Sequence, residues 1–173
     1  MAQVIITAVA TLLAVGLGGW LTTRAQERLW RRDQHRQWRD IRLTAYTEFL
    51  TAFRQYVSYV LLPTAKITTT RRKRSPNDLM PYFDKEGTAY KERLEATKTA
   101  LRLVSGHPAV VEASREVVRL VRLLAADRAV HGIEGVPDAQ FDALWAAERE
   151  FITAARAELG LTGLRFDNGR GSA

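Results

Sequence analysis

The stretch Ile41–Val60, IRLTAYTEFLTAFRQYVSYV, decides the fold class, because Ile41, Ala45, Phe49, Ala52, Tyr56 and Val60 recur at steps of three and four. That spacing lays one apolar stripe along an α-helix. A stripe wide enough to face a core requires other elements to cover it, so a folded domain starts near residue 41.

Downstream, Pro63 ends this first helix, and Thr64 to Pro81 reads as an exposed loop carrying Arg71-Arg72-Lys73-Arg74. Ser75, with Pro76 after it and Asp78 three residues on, has the form of a helix N-terminus, although Pro81 would delay the start. The stripe Phe83, Tyr90, Leu94, Leu101 and Val104 predicts a second helix as far as Ser105, with Gly87 as an unfavourable residue inside it. Gly106-His107-Pro108 breaks that helix and opens a third. Val110, Ala113, Val117, Leu120, Val121 and Leu124, joined by Val111, Val118 and Leu123, predict that the third helix is the most buried. Its remaining face carries Glu112, Arg115, Glu116, Arg119 and Arg122, which can pair at spacings of three and four.

The segment His131–Pro137 reads as a turn, and a fourth helix starts near Asp138. Phe141, Leu144, Trp145, Phe151, Ile152, Ala155 and Leu159 form its inner face, with Gly160 at its C-cap. Residues 161–173 read as a frayed tail. No hairpin-bounded alternation is read anywhere. The expected fold is all-α: an antiparallel four-helix bundle over 41–160.

Upstream, no proline occurs between Met1 and Leu62, and beyond Gly19 no glycine occurs there either, so the first helix is expected to continue toward the N-terminus. Residues 24–40 contain Arg24, Arg28, Arg31, Arg32, Arg36 and Arg39, with Ala25, Leu29, Trp30 and Trp38 as their apolar residues, the pattern of a basic juxtamembrane stalk. Before them, Val4–Thr23, VIITAVATLLAVGLGGWLTT, is twenty residues without a charge. At about 1.5 Å per residue a helix of that length spans a hydrocarbon core of ~30 Å. Residues 1–23 are therefore expected to be a transmembrane anchor continuous with the stalk. No Lys or Arg precedes the run and seven arginines follow it within nineteen residues, which predicts an outside N-terminus and a cytoplasmic domain. Met1-Ala2-Gln3 lacks the basic start of a cleaved secretion signal.

Trp20, Arg24, Arg28, Trp30, Arg31 and Arg32 are the candidate membrane-interface residues. Ala10, Ala14 and Gly18 repeat every four residues, a spacing that lets a second membrane helix approach and that also occurs in membrane helices with no interface.

The formal net charge of +7 implies an anionic partner, be it lipid headgroups, nucleic acid or an acidic protein. Arg71 to Arg74 are the candidate anion-binding loop. A straight helix from Arg24 to Leu62 would carry them about 60 Å from the bilayer, which favours a solvated loop over a membrane contact. With no cysteine, thiol chemistry and disulfides are excluded. His35, His107 and His131 lie in three separate places, none at the spacing of a helical metal site. Gly16, Gly18 and Gly19 lack the Lys-hydroxyl ending of a phosphate loop, and Glu148 and Glu150 point to different helical faces. No catalytic, cofactor or metal residue is assigned.

Arg28-Leu29-Trp30-Arg31-Arg32 to Trp38-Arg39, followed by Ala45-Tyr46 and Glu48-Phe49-Leu50 at the start of the domain, resembles a group of small, uncharacterised single-pass membrane proteins of actinobacteria. The resemblance covers the first third of the chain. It implies a membrane-anchored helical domain and brings no activity or site residues. The expected function is a non-enzymatic membrane-anchored interaction or scaffold module, with an unknown protein or a second copy as partner. The alternative is an electrostatic binder of nucleic acid or anionic lipid through residues 71–74 and the stalk.

Overall fold

The structure, a computed structural model, describes residues 30, 34, 36–72 and 75–161, with only the backbone at 71–72 and 75–78. The anchor 1–23, most of the stalk, the tail beyond 161, and Ala10, Ala14, Gly18, Trp20, Arg24, Arg28, Arg31, Arg32, His35, Lys73 and Arg74 lie outside the described residues. Among the described residues no helix is long and apolar enough to cross a membrane. The chain divides into two units between Asp40 and Ile41. In the first, the described residues are helical and exposed, Trp30 at 71% and Trp38 at 47%.

The second unit is mainly helical. Helix α1 covers residues 41–61 of this unit. A hairpin of β1 (Ile67–Arg72) and β2 (Ser75–Phe83) follows, and then α2 (Lys85–Val104), α3 (Pro108–His131) and α4 (Asp138–Glu158). Side-chain ties give the directions. Arg42, early in α1, bonds Val104 O at the end of α2 (2.9 Å) and pairs with Glu158 at the end of α4 (3.4 Å). Tyr59, late in α1, donates to Asp84 at the start of α2 (2.7 Å). Helices α1 and α3 therefore run one way, and α2 and α4 the other.

The core forms where the four apolar faces meet. From α1 it takes Ala45, Tyr46, Phe49, Ala52, Phe53, Tyr56, Val57, Tyr59 and Val60, a face wider than the stripe read from sequence, whose first member Ile41 is 40% exposed. Phe151 of α4 is fully buried against Phe49 and Tyr46, with ring centroids 4.9 and 6.0 Å apart. Burying a side chain of this size contributes roughly 1.5–3 kcal/mol. Helix α3 is lined with buried Val110, Val117, Val118, Val121 and Leu124. On its polar face Glu112 pairs with Arg115 and Glu116 with Arg119, whereas Arg122 reaches across to Glu95 of α2.

Two expectations are corrected. Residues 67–72 and 75–83 pair as antiparallel strands where a loop was expected as far as Pro81, with Ile67 opposite Phe83, Thr69 opposite Pro81 and Arg71 opposite Leu79, and an irregularity at Arg71/Arg72. Ile67 and Thr69 are half-buried while Thr68 and Thr70 are exposed, so the strand period is present. It is carried by threonines, β-branched and suited to a pleated surface but not apolar enough to register as a core face. Pro81 sits inside β2 because each strand of a two-stranded sheet is an edge, where a missing N–H leaves no ladder bond unmade.

The second correction follows from the first. Helix α2 is capped by Asp84, whose carboxylate accepts from Gly87 N (2.9 Å), rather than starting at Ser75. His107 caps α3 through Nδ1, which accepts from Ala109 N (3.3 Å), and Gly132 and Gly160 take positive φ just past α3 and α4.

Candidate functional site

Five basic side chains line a cleft walled by β2, α2 and α3, with α1 beneath it. Lys91 and Lys98 are seven residues apart on α2 and share one face. Arg115, Arg119 and Arg122 do the same on α3, with Val118 and Leu123 among them. The strand β2 closes the third side with Leu79, Met80, Pro81 and Phe83. Together they line a partly open cavity of about 240 Å³.

The cations are partly neutralised. Glu95 accepts from both Lys98 Nζ (3.3 Å) and Arg122 Nη2. Arg119 Nε donates to Glu116 (2.7 Å), a bond that holds the Glu116 carboxyl below its usual range and raises the guanidinium further. Arg115 pairs with Glu112. Lys91 has no carboxylate partner among the described residues. Five cations thus face three carboxylates, and the cleft carries surplus positive charge.

Tyr56 lines the floor. It is 1% exposed, its ring lies 5.4 Å from that of Phe83, and its hydroxyl has no hydrogen-bond partner. Burial pushes its pKa up, with Arg122 easing ionisation and Glu95 opposing it, so the hydroxyl keeps its proton as a donor. A buried hydroxyl left unpaired costs about 1–3 kcal/mol. The other unpartnered buried atoms among the described residues, Gln55 Oε1 and Gln140 Oε1, are acceptors and line no part of this cleft.

The remaining buried polar groups hold the fold together. At one end of the bundle Glu158 accepts from Tyr46 Oη (2.6 Å), Ser105 Oγ (2.8 Å) and Gly106 N (2.8 Å). At the other, the buried Arg128 donates to Val60 O and Leu62 O, closing the C-terminus of α1. Glu148, 8% exposed, is covered by Arg54 at 2.9 Å. Among the described residues no cluster of His, Cys, Asp and Glu could hold a metal ion.

Of the residues singled out in the sequence, Trp30 is exposed and Arg71 and Arg72 belong to β1. The register sets Arg71 opposite Leu79, a wall residue of the cleft. His131 is an exposed residue ending α3. The cleft itself was missed. Tyr56 reads as one more core aromatic, and Arg115, Arg119 and Arg122 as a solvated helix face. The available signal was the seven-residue repeat of basic residues on two successive helices, which becomes a site only when the hairpin walls it. Comparison with protein-family models, with curated proteins and with solved structures returned no match.

Proposed function

We propose that the chain is a non-enzymatic, single-pass membrane-anchored helical module. Residues 1–23 hold it in the bilayer with the N-terminus outside, and residues 41–160 offer a binding surface to another protein or to a second copy on the cytoplasmic side. The observation that carries this reading is the uncharged run Val4–Thr23, followed but not preceded by arginines. The ties from Arg42, Arg54, Arg128 and Glu158 between helices support a rigid domain suited to display. Crosslinking in native membranes tests it: a dominant partner or a discrete oligomer is expected, and recovery of monomer alone under several crosslinkers would count against the proposal.

A second reading, electrostatic binding of nucleic acid or anionic lipid, is favoured by the surplus charge of the cleft and by Arg71 beside its wall. The full chain should then bind duplex DNA or anionic vesicles with steep salt dependence. Replacing Arg71, Arg72, Lys73 and Arg74 by glutamine should abolish that binding, and unchanged affinity would sink the idea.

A further inference from the structure

The cleft between β2, α2 and α3 combines two properties: a buried donor without an acceptor, and more positive than negative charge around an apolar wall. Neither depends on whether the chain is anchored. We propose that this cleft binds a small monocarboxylate with a compact apolar body, whose carboxylate lies among Arg122, Arg119 and Lys91 and accepts from the Tyr56 hydroxyl as the side chains that cover it part.

Each part of the lining selects one feature of that ligand. The Tyr56 hydroxyl is a donor, keeps its proton because it is buried, and lacks an acceptor, so it calls for an oxyanion or a carbonyl. The surplus of cations over Glu95, Glu112 and Glu116 selects the charged form over the neutral one. Leu79, Met80, Pro81, Phe83, Val118 and Leu123 leave a bare, fully hydrated anion with an unfavourable apolar wall and give an apolar body a surface to cover. The volume sets the scale of the covered body. An engineered apolar cavity of about 150 Å³ holds benzene, so the cavity of about 240 Å³ here suits a body near the size of two fused rings.

The test is a calorimetric titration of the full-length chain in phosphatidylcholine nanodiscs with 2-naphthoate, its neutral analogue 2-naphthamide, and inorganic phosphate. One saturable site for 2-naphthoate is expected, with 2-naphthamide at least about tenfold weaker. Tyr56→Phe should weaken 2-naphthoate by about tenfold or more, as befits a lost hydrogen bond to a charged group. It should also raise the melting temperature of the unliganded protein, because the unpaired hydroxyl is gone. That second readout shows that the variant is folded and separates a ligand-binding hydroxyl from a merely structural one. Lys91→Gln should weaken 2-naphthoate and leave 2-naphthamide unchanged. Equal affinity for acid and amide, binding unaffected by Tyr56→Phe, no saturable binding, or displacement of 2-naphthoate by inorganic phosphate at matching concentration would each overturn the proposal. The last of these would assign the cleft to a bare oxyanion or a lipid headgroup.

Discussion

Gly87 shows how a residue that looks like a flaw in a helix can be required by its neighbours. In isolation a glycine inside α2 costs about 1 kcal/mol relative to alanine. In the fold, a Cβ at this position would lie 2.5 Å from Tyr59 Cε1, 2.7 Å from Tyr59 Cζ and 2.8 Å from Phe83 Cβ. The Tyr59 ring cannot swing aside cheaply, because its hydroxyl is bonded to Asp84 and its faces meet Phe83 and Tyr90. Gly87→Ala should therefore destabilise the protein by roughly 1–2 kcal/mol despite the better helix former, since overpacking costs about 1–3 kcal/mol. Chemical unfolding decides the sign. A gain in stability of the size that helix propensity alone gives would show that the Tyr59 ring yields.

At the scale of elements, the question is what stops α1 where it stops. Pro63 prevents its continuation, but the last carbonyls of the helix still need donors. Arg128 supplies them from α3, 68 and 66 residues away in sequence from Val60 and Leu62. Burial disfavours its charge and lowers its pKa, with Tyr59 opposing, while the guanidinium sits at the negative end of the α1 dipole, where a cation is favoured. Arg128→Met keeps the stem but removes both donors; Leu62 O retains the Ala65 amide (3.1 Å) and Val60 O is left unmet, so the melting temperature should fall by roughly 4–12 °C, from about 1–3 kcal/mol for one buried acceptor. A melting temperature within one degree of the parent would mean that water replaces the guanidinium.

Much of this architecture was legible in the sequence. The four helices and most of their inward faces were, because Phe49, Val60, Leu94, Leu101, Val117 and Phe151 repeat at helical spacing. The breaks at Pro63, Gly106-His107-Pro108 and Gly160 were legible from backbone chemistry. The hairpin was not, because Thr69 and Pro81 stand among its inward positions Ile67, Leu79 and Phe83 and break the apolar alternation that marks a strand. The cleft depends on that hairpin and on Glu95 bridging α2 to α3, a long-range pairing that no local pattern encodes.

For the whole molecule, the buried hydroxyl and carboxyl groups at the two ends of the bundle make stability depend on pH in both directions. Burial, and then hydrogen bonds to Glu158 and Asp84 respectively, push Tyr46 and Tyr59 up to about 12. An unfolded tyrosine titrates near pH ~10. With the folded pKa raised, the neutral phenols contribute stability fully below pH ~10, and it is lost as the pH rises from there toward about 12. On the acid side, burial pushes Glu158 up most strongly, but the bonds from Tyr46, Gly106 and Ser105 and the charge of Arg42 outweigh it and leave the carboxyl below its ordinary value. That contribution is present above the unfolded pKa of ~4.3 and declines as the pH falls through the folded one.

Because Tyr46 and Glu158 share one hydrogen bond, a single substitution should flatten both limbs of the pH profile. Tyr46→Phe removes a phenol that resists ionisation and takes away a donor that holds Glu158 ionised. Thermal unfolding from pH 3 to 12 should then show a shallower loss between pH ~10 and 12 and also a shallower loss below pH ~4.5, on a baseline lowered near neutrality. Tyr59→Phe should flatten the alkaline limb while leaving the Glu158 contribution on the acid side intact. If Tyr46→Phe changes the alkaline limb alone, the Tyr46–Glu158 bond does not govern the carboxyl, and Arg42 with the Gly106 amide must hold it ionised instead.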